Sequence, residues 1–307
     1  MRNYIILIIL TISIMIDNQA KAQEHNFDPP WNKPPTDGLQ FTVKGIDNVP
    51  DLYGDITDPE LTIFFAGNQF MVIDELLAEF KKAYPAYNRI FAETLPPGIL
   101  AKQIKEGSIT IGNMHISHKP DVYTAGKTRI EEFAPLFNRT EAYAGNKLAI
   151  MVQKGNPLNI KGLKDLGRSD VKVSMPNPEW EGIGKRIEDA YVKAGGQALK
   201  EQIMKEKVAA KTTFLTQIHH RQTPMRILYG QSQAGPVWYS EAFYQKMIGH
   251  PLELVSIPDS ENIEATYMAG KLREAPHPKA ASDFMDFLVS AKAREIYHKY
   301  GFTDLNK

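Results

Sequence analysis

Residues 61–70 read LTIFFAGNQF, and the rest of the predicted fold follows from this stretch. The apolar run at 61–65 is typical of a buried strand, and the Ala-Gly-Asn that follows predicts a tight loop. Apolar residues then recur at helical spacing from Ile73 to Tyr84, and Pro85 ends the predicted helix. The stretch therefore predicts a unit of strand, tight loop and helix.

The same unit recurs further along the chain. Its later copies are YNRIFAE (87–93) before ILAKQIKEG (99–107), VKVSM (171–175) before IGKRIEDAYVKAGG (183–196), and AGPVWY (234–239) before SEAFYQKMIG (240–249). Strands that alternate with helices indicate parallel sheets with helices on both faces. The sequence therefore predicts an α/β fold.

Two segments are predicted to cross between two lobes of this α/β fold. The first is NKLAIMVQKGNP (146–157), a continuous apolar strand that ends in a turn, and the second is AGPVWYSEA (234–242). A chain of 307 residues is long enough for two such lobes. The predicted first lobe comprises residues 51–147 plus 243–307, and the second comprises residues 148–242 with the hinge strands.

The N-terminal residues predict export. Residues 1–22 combine a basic Arg2, an apolar run and an Ala20-Lys21-Ala22 triplet, which together indicate a signal peptide cleaved after Ala22. Residues 23–50 are rich in proline and polar residues and predict an extended arm. The sequence contains no cysteine, so neither a disulfide nor a lipidated N-terminal cysteine is expected. The expected location is the periplasm.

Composition and motifs argue against two functional classes. The chain has 36 basic and 36 acidic residues, so it carries no excess positive charge to attract a nucleic acid. The G-x-S-x-G, H-E-x-x-H, P-loop and dinucleotide-binding motifs are all missing from the sequence. We therefore expect a protein that is not an enzyme and needs no cofactor.

Several stretches together resemble the periplasmic molybdate-binding proteins of ABC importers, which have the type II periplasmic-binding-protein fold. The matching stretches are LTIFFAGNQF, PPGILAKQIKEG, NKLAIMVQKGNP, MPNPEWEGIGKRIEDAYVKAGG, AGPVWYSEA and ASDFMDFLVSAKAREIYHKYGF, in the order of the family. The resemblance implies two α/β lobes on a hinge, which close over a small oxyanion such as molybdate or tungstate. It also implies a monomer that delivers this ligand to an inner-membrane ABC permease.

The resemblance assigns ligand contacts to the strand-to-helix loops, where free N–H groups at helix starts favour anions. Molybdate binders carry serines in two of these loops, and this sequence departs from them. Asn68 stands at the first position and its amide can still donate, but it can also be a plain helix N-cap. Pro97 stands at the second and offers neither hydroxyl nor N–H, which leaves Gly98 and Ile99 as the expected donors.

The third loop, NPEWEG, places Glu179 and Glu181 before a helix. Either glutamate can simply interact with the helix dipole. If Glu181 instead points into the cleft, it repels a free oxyanion unless the ligand is protonated, cationic or centred on a metal. We predict that Glu181 contacts the ligand and that Glu179 does not.

Two further ligand contacts are predicted near the second crossing segment. Trp238 matches a family tyrosine that faces the ligand, although a tryptophan on a hinge strand is about as often part of the core. Arg221 aligns with an arginine found in several molybdate binders, and it is expected to supply positive charge that offsets Glu181. We predict that Thr223 caps a short helix that begins at Pro224.

Two alternative functions remain open. A receptor for a divalent metal or a metal complex would use His115, His118, His219 and His220. His219 and His220 are consecutive, and consecutive residues in an extended loop point in opposite directions, which makes it hard for both to bind one metal. An exported hydrolase on the same fold would need catalytic groups outside the known motifs.

Overall fold

The computed structural model of the chain describes residues 52–111, 114–179, 181–216 and 221–305. The predicted signal peptide and the predicted N-terminal arm lie outside these ranges. All of the described residues belong to one compact unit, Pro34–Lys307. Within them, no helix is both long and apolar enough to cross a membrane.

Strands and helices alternate through most of the described chain. The strands are β1 (Leu52–Gly54), β2 (Leu61–Ala66), β3 (Ile90–Leu95), β4 (Ile109–Ile111), β5 (Met114–Ile116), β6 (Val122–Gly126), β7 (Phe137–Gln153), β8 (Val173–Met175), β9 (Thr213–Leu215), β10 (Ala234–Trp238), β11 (Leu252–Ser256) and β12 (Glu264–Leu272). The α-helices are α1 (Ile73–Ala83), α2 (Pro97–Glu106), α3 (Lys127–Glu132), α4 (Gly182–Glu201), α5 (Lys207–Ala209), α6 (Gln222–Leu228), α7 (Tyr239–Met247), α8 (Pro278–Leu288) and α9 (Ala291–Lys299). The 3₁₀ helices are Gly67–Val72, Ala134–Leu136 and Leu163–Gly167, and Gln202–Glu206 forms a π-helical turn.

Helix α1 shows why the predicted strand-loop-helix unit forms. Ile73, Leu76, Leu77 and Phe80 recur at helical spacing and are buried against the core. Asp74 and Glu75 lie in its first turn and Lys81 and Lys82 in its last, the arrangement that the helix dipole favours. The loop before α1 is itself a 3₁₀ helix, Gly67–Val72, so the first helical turn begins earlier than the α-helix.

Ten of the described strands form one curled sheet whose order is β1-β3-β2-β6-β12-β7-β10-β8-β9, with β11 paired to β7. Strands β4 and β5 form a separate antiparallel pair. Strand β2 is parallel to β3 and β6, and β8 is parallel to β9 and β10. Strands β1, β7, β11 and β12 pair antiparallel to their neighbours. The prediction of parallel sheets therefore holds for only part of the sheet, because the strands that cross and return run against the others.

Strand β7 contains residues 146–153 of the first segment that the sequence predicts to cross between lobes. Its first part, up to Lys147, pairs with β12, and its last residues pair with β10 and β11 on both sides. The side chain of Asn262 fixes the change of partner, because its amide accepts from Leu148 N and donates to Leu148 O, both at 2.9 Å. One buried apolar cluster lies on the β2 side of this strand and another on the β8 side. The lobe boundaries near residues 147 and 242 stay a prediction.

The start of the short helix α6 differs from the prediction. The helix begins at Gln222, and the residue before it is Arg221, so Thr223 is not the cap. The hydroxyl of Thr223 instead lies 3.0 Å from that of Ser174 on β8, and both side chains are fully buried. A threonine that anchors the helix to the neighbouring strand gives the same local sequence signal as a capping threonine.

Candidate ligand-binding site

The candidate site residues lie just beyond the carboxyl ends of parallel strands. Asn68 follows β2, Gly98 and Ile99 follow β3, Glu181 follows β8, and Trp238 ends β10. In open α/β sheets this edge is where ligands bind. The topology therefore places the predicted residues at the edge at which the sequence expects them.

Asn68 is held by a buried polar cluster that the sequence did not reveal. The side chain is 6% exposed, and its Nδ2 donates to the hydroxyl of Tyr267 on β12. The same hydroxyl accepts from Asn146 Nδ2 at 3.4 Å, and Asn146 Nδ2 also donates to Ser240 Oγ at 2.9 Å. Asn68 is thus not a plain N-cap, because its amide is bonded to a distant strand and makes no cap hydrogen bond.

The hydroxyls of Tyr267 and Ser240 are hydrogen-bond donors that this cluster leaves in place. Each oxygen accepts amide hydrogen bonds and retains its own hydrogen. Burial raises the pKa of Tyr267 well above its ordinary value, so this hydroxyl stays protonated at physiological pH. Ser240 lies in the first turn of α7 and belongs to the AGPVWYSEA stretch, so its place at a helix start was a usable sequence signal. Tyr267 gives no local sequence signal.

Trp238 joins the same cluster through its ring. The centroid of the indole ring lies 6.2 Å from that of Tyr267 in an edge-to-face arrangement. Only 6% of Trp238 is exposed, and the side chain also belongs to the apolar cluster on the β8 side. Trp238 therefore lies between the core and the candidate site.

Glu181 is buried in a polar arrangement of its own. Its Oε1 accepts from the hydroxyl of Thr216, which follows β9, and lies 3.4 Å from the amide nitrogen of Asn177. The carboxylate makes no hydrogen bond that caps α4, although Glu181 is the residue before this helix. Glu179, in contrast, is exposed. Glu181 is thus buried and Glu179 exposed, and the contact of Glu181 with the ligand stays a prediction.

Arg221 reaches the loop that carries Asn68. Its guanidinium carbon lies 4.8 Å from the centroid of the Phe70 ring, which is within range of a cation–π interaction. Phe70 belongs to the 3₁₀ helix Gly67–Val72, two residues beyond Asn68. A positive charge on the β8 side therefore lies directly against the β2 side of the site. Phe70 was missed because its role depends on this long-range contact.

The start of α2 offers fewer backbone N–H donors for a ligand than the sequence suggests. The amide of Ile99 donates to the carbonyl of Pro96 at 2.8 Å, so the expectation that this N–H serves the ligand is not supported by the geometry. Gly98 is exposed, and a Cβ added there would meet no atom within 4 Å. Of the two expected donors in this loop, Gly98 is exposed and Ile99 is bonded to Pro96.

The alternative metal ligands do not form a site in the described residues. His115 is exposed on β5 with Nδ1 3.2 Å from Thr110 Oγ1, and His118 donates from Nε2 to the carbonyl of Ile56. His219 and His220 lie outside the described residues. Within the described ranges, no group of three or more histidine or acidic residues could hold a metal ion.

Comparison with known proteins identifies both a family and a fold. The profile of a family described as bacterial extracellular solute-binding protein matches residues 61–303. YvgL of Bacillus subtilis strain 168, described as a candidate ABC transporter substrate-binding lipoprotein, is 24% identical over 206 residues, which span 67% of this chain and 72% of YvgL.

Two solved structures share the fold at low sequence identity. The periplasmic molybdate-binding protein of Azotobacter vinelandii is 16% identical with a TM-score of 0.64, covering 80% of this chain and 100% of its own. The sulfate-binding protein SubI of Mycobacterium tuberculosis is 16% identical with a TM-score of 0.65, covering 79% of this chain and 85% of its own. The predicted α/β fold of the periplasmic binding proteins is confirmed.

Proposed function

The chain belongs to the family of bacterial extracellular solute-binding proteins, and on this basis we propose that it captures a small tetrahedral oxyanion of the molybdate or tungstate kind. The observation that carries this proposal is the position of Arg221, whose guanidinium lies over Phe70 beside the Asn68 loop. A guanidinium presents several N–H donors in a fixed plane and suits an oxyanion. The two similar structures are described as binders of molybdate and of sulfate, which are oxyanions of this shape.

The neutral donors around Arg221 fit the same ligand. The hydroxyls of Tyr267 and Ser240 and the backbone of Gly98 can donate to oxygen atoms without adding charge. Pre-positioned neutral donors hold an anion at low cost because they need little reorganisation on binding. Asn68 and Trp238 fix the position of Tyr267 and complete the proposed site.

The carboxylate of Glu181 does not rule out an anionic ligand. Its Oε1 is bonded to Thr216 and close to the Asn177 amide, so part of its charge is already stabilised within its own side of the site. We propose that Arg221 offsets the rest, and that Glu181 tunes which anion is accepted rather than excluding anions altogether.

A pair of substitutions tests this role of Glu181. We expect Glu181→Gln to change oxyanion affinity by about tenfold, in either direction, because it alters the charge of a buried group beside the ligand. Glu179→Gln is the matched control and should leave affinity unchanged, because Glu179 is exposed. Titration calorimetry measures both. Equal affinities for wild type and both variants would make Glu181 a purely structural residue and would place the ligand elsewhere.

We further propose that the protein works as a monomer in the periplasm and delivers its ligand to an inner-membrane ABC permease. The family is extracellular, and the relative YvgL is described as a substrate-binding lipoprotein of an ABC transporter. The predicted signal peptide supports export. A carrier of this kind binds and releases its ligand without converting it, so no catalytic step is proposed.

A thermal-shift panel tests the proposed ligand class against the metal alternative. Molybdate, tungstate, sulfate and phosphate are compared with zinc, nickel and copper. A ligand at about 100 times its dissociation constant should stabilise the folded protein by about 2.7 kcal/mol, which raises Tm by several degrees. A shift with at least one oxyanion supports the proposal. Shifts with metals alone would replace it with a metal receptor.

A further inference from the structure

Arg186 lies in the second turn of α4, the helix that follows β8. Its side chain is half-buried, and no hydrogen bond or ion pair joins it to another residue in the described part of the chain. Two other half-buried arginines, Arg139 and Arg168, pair with Asp286 at 2.7 Å and with Asp170 at 2.6 Å. A guanidinium is always charged in a protein, so Arg186 presents a positive charge that is not paired with a described carboxylate.

The guanidinium of Arg186 reaches the opposite side of the sheet. A Cβ added at Gly126, the last residue of β6, would lie 3.9 Å from Nη2 of Arg186. Strands β12, β7 and β10 lie between β6 and β8 in the sheet order, so this contact does not join neighbouring elements. Arg186 therefore crosses the space between the β2 side and the β8 side.

Gly126 lies at the same edge of the sheet as the candidate site. It is paired directly with Tyr267, one of the proposed donors to the ligand, across the β6–β12 ladder. Strand β6 runs parallel to β2, so its carboxyl end lies at the edge where the Asn68 loop follows β2. The contact of Arg186 with Gly126 therefore places a second guanidinium at the candidate site.

Arg186 lies at the mouth of this site. Arg186 and Gly126 are partly exposed, whereas Tyr267 and Glu181 are buried. A side chain on a helix points back toward the start of the helix, so Arg186 lies over Gly182, one turn earlier. A Cβ added at Gly182 would meet no atom within 4 Å, so this face of α4 is open.

The charge balance of the site requires a second cation if the ligand is an anion. Two buried carboxylates lie on its β8 and β10 side: Glu181, which precedes α4, and Glu241, which follows Ser240 in the first turn of α7. Arg221 alone balances one of these negative charges. With Arg186, the described cations and carboxylates of the site are equal in number, which removes a net repulsion of anions.

We propose that Arg186 supplies a second positive charge to the ligand site and makes this site prefer a doubly charged oxyanion to a singly charged one of the same shape. The inference rests on the proposed function of the site as an oxyanion receptor. Arg186 acts from the mouth through its charge, whereas Arg221 and the neutral donors hold the ligand oxygens. Coulomb attraction is proportional to the ligand charge, so an unpaired guanidinium attracts a dianion twice as strongly as a monoanion.

The test compares tungstate with perrhenate, two tetrahedral oxyanions of nearly equal size that carry two and one negative charges. Titration calorimetry of the full chain at neutral pH should show that the wild type binds tungstate more tightly. Arg186→Gln removes the charge and keeps a polar side chain, and it should weaken tungstate binding about tenfold and perrhenate binding about threefold, in proportion to ligand charge. The preference for tungstate should therefore fall about threefold.

Two variants and a salt series separate charge from structure. Lys185→Gln removes the same charge from an exposed neighbour on α4 and should bind both anions as wild type does. Arg186→Lys keeps the charge and should keep the preference for tungstate. Added salt should weaken tungstate binding to the wild type more steeply than to Arg186→Gln, because a partly exposed charge is screened.

The contrary results distinguish this inference from the proposed function. An Arg186→Gln variant that binds both anions as wild type does would overturn the role of Arg186 and leave the oxyanion site intact. Equal losses for tungstate and perrhenate, with an unchanged salt dependence, would make Arg186 a structural residue and would also overturn it. A wild type that binds neither anion would refute the proposed function itself, and this inference with it.

Discussion

Arg221→Ala is expected to weaken oxyanion binding by about 100-fold, because a charge-assisted contact removed from a desolvated site typically costs about 2–5 kcal/mol. The loss should be this large because the other donors proposed around the ligand, Tyr267, Ser240 and Gly98, are neutral. Titration calorimetry of the ligand-free protein measures the change directly.

Two controls separate charge from geometry at Arg221. Arg221→Lys keeps the charge but loses the planar group that lies over Phe70, so an intermediate affinity is expected. Arg294→Ala removes the same charge from an exposed position on α9 and should bind as wild type does. An Arg221→Ala variant with wild-type oxyanion affinity would contradict the proposed site.

Gly184→Ala is expected to destabilise the protein by about 2 kcal/mol or more, because it forces a side chain into backbone that cannot move easily. A Cβ at this position would lie 2.6 Å from the nitrogen of Pro178 and 2.7 Å from the carbonyl oxygen of Pro176. This contact packs the first turn of α4 against the loop that carries Glu181, so the same change should displace Glu181. Tm should fall by about 4 °C or more, as measured by calorimetry.

The matched control for Gly184→Ala is Gly98→Ala, another glycine in the first turn of a helix. A Cβ at Gly98 meets no atom within 4 Å, so stability should be unchanged or slightly higher. If Gly184→Ala is as stable as Gly98→Ala, the close approach between α4 and the loop before it does not constrain the fold.

The strand-loop-helix units and the crossing segments were predictable because each has a local signal. Apolar runs marked β2 and β10, helical spacing marked α1, and the continuous apolar segment after Asn146 marked the strand that changes partners. The antiparallel strands were harder to predict. Strand β12 pairs with both β6 and β7, and no local pattern shows which strand inserts between two others.

The candidate site was only partly predictable for the same reason. The sequence predicts a ligand contact for Glu181 and none for Glu179, but it gives no sign of the bond from Thr216 to Glu181, which spans 35 residues of sequence. The bond between Asn68 and Tyr267 spans 199 residues. Contacts of this range depend on how the two sides of the sheet meet.

The loop of Pro97 shows a second limit of sequence reasoning. The missing N–H of Pro97 left Gly98 and Ile99 as expected donors, yet the Ile99 amide donates to the carbonyl of Pro96, the residue before the helix. Residue type fixes which donors exist, and only backbone geometry fixes which of them a ligand can reach.

The most direct test of the central claim is native mass spectrometry of the protein purified without chelator and then titrated with molybdate and tungstate. The proposal predicts one bound oxyanion per protein chain, retained at low micromolar concentration by the wild type and lost by Arg221→Ala. Protein that carries a transition metal, or that binds neither oxyanion at any concentration tested, would contradict it.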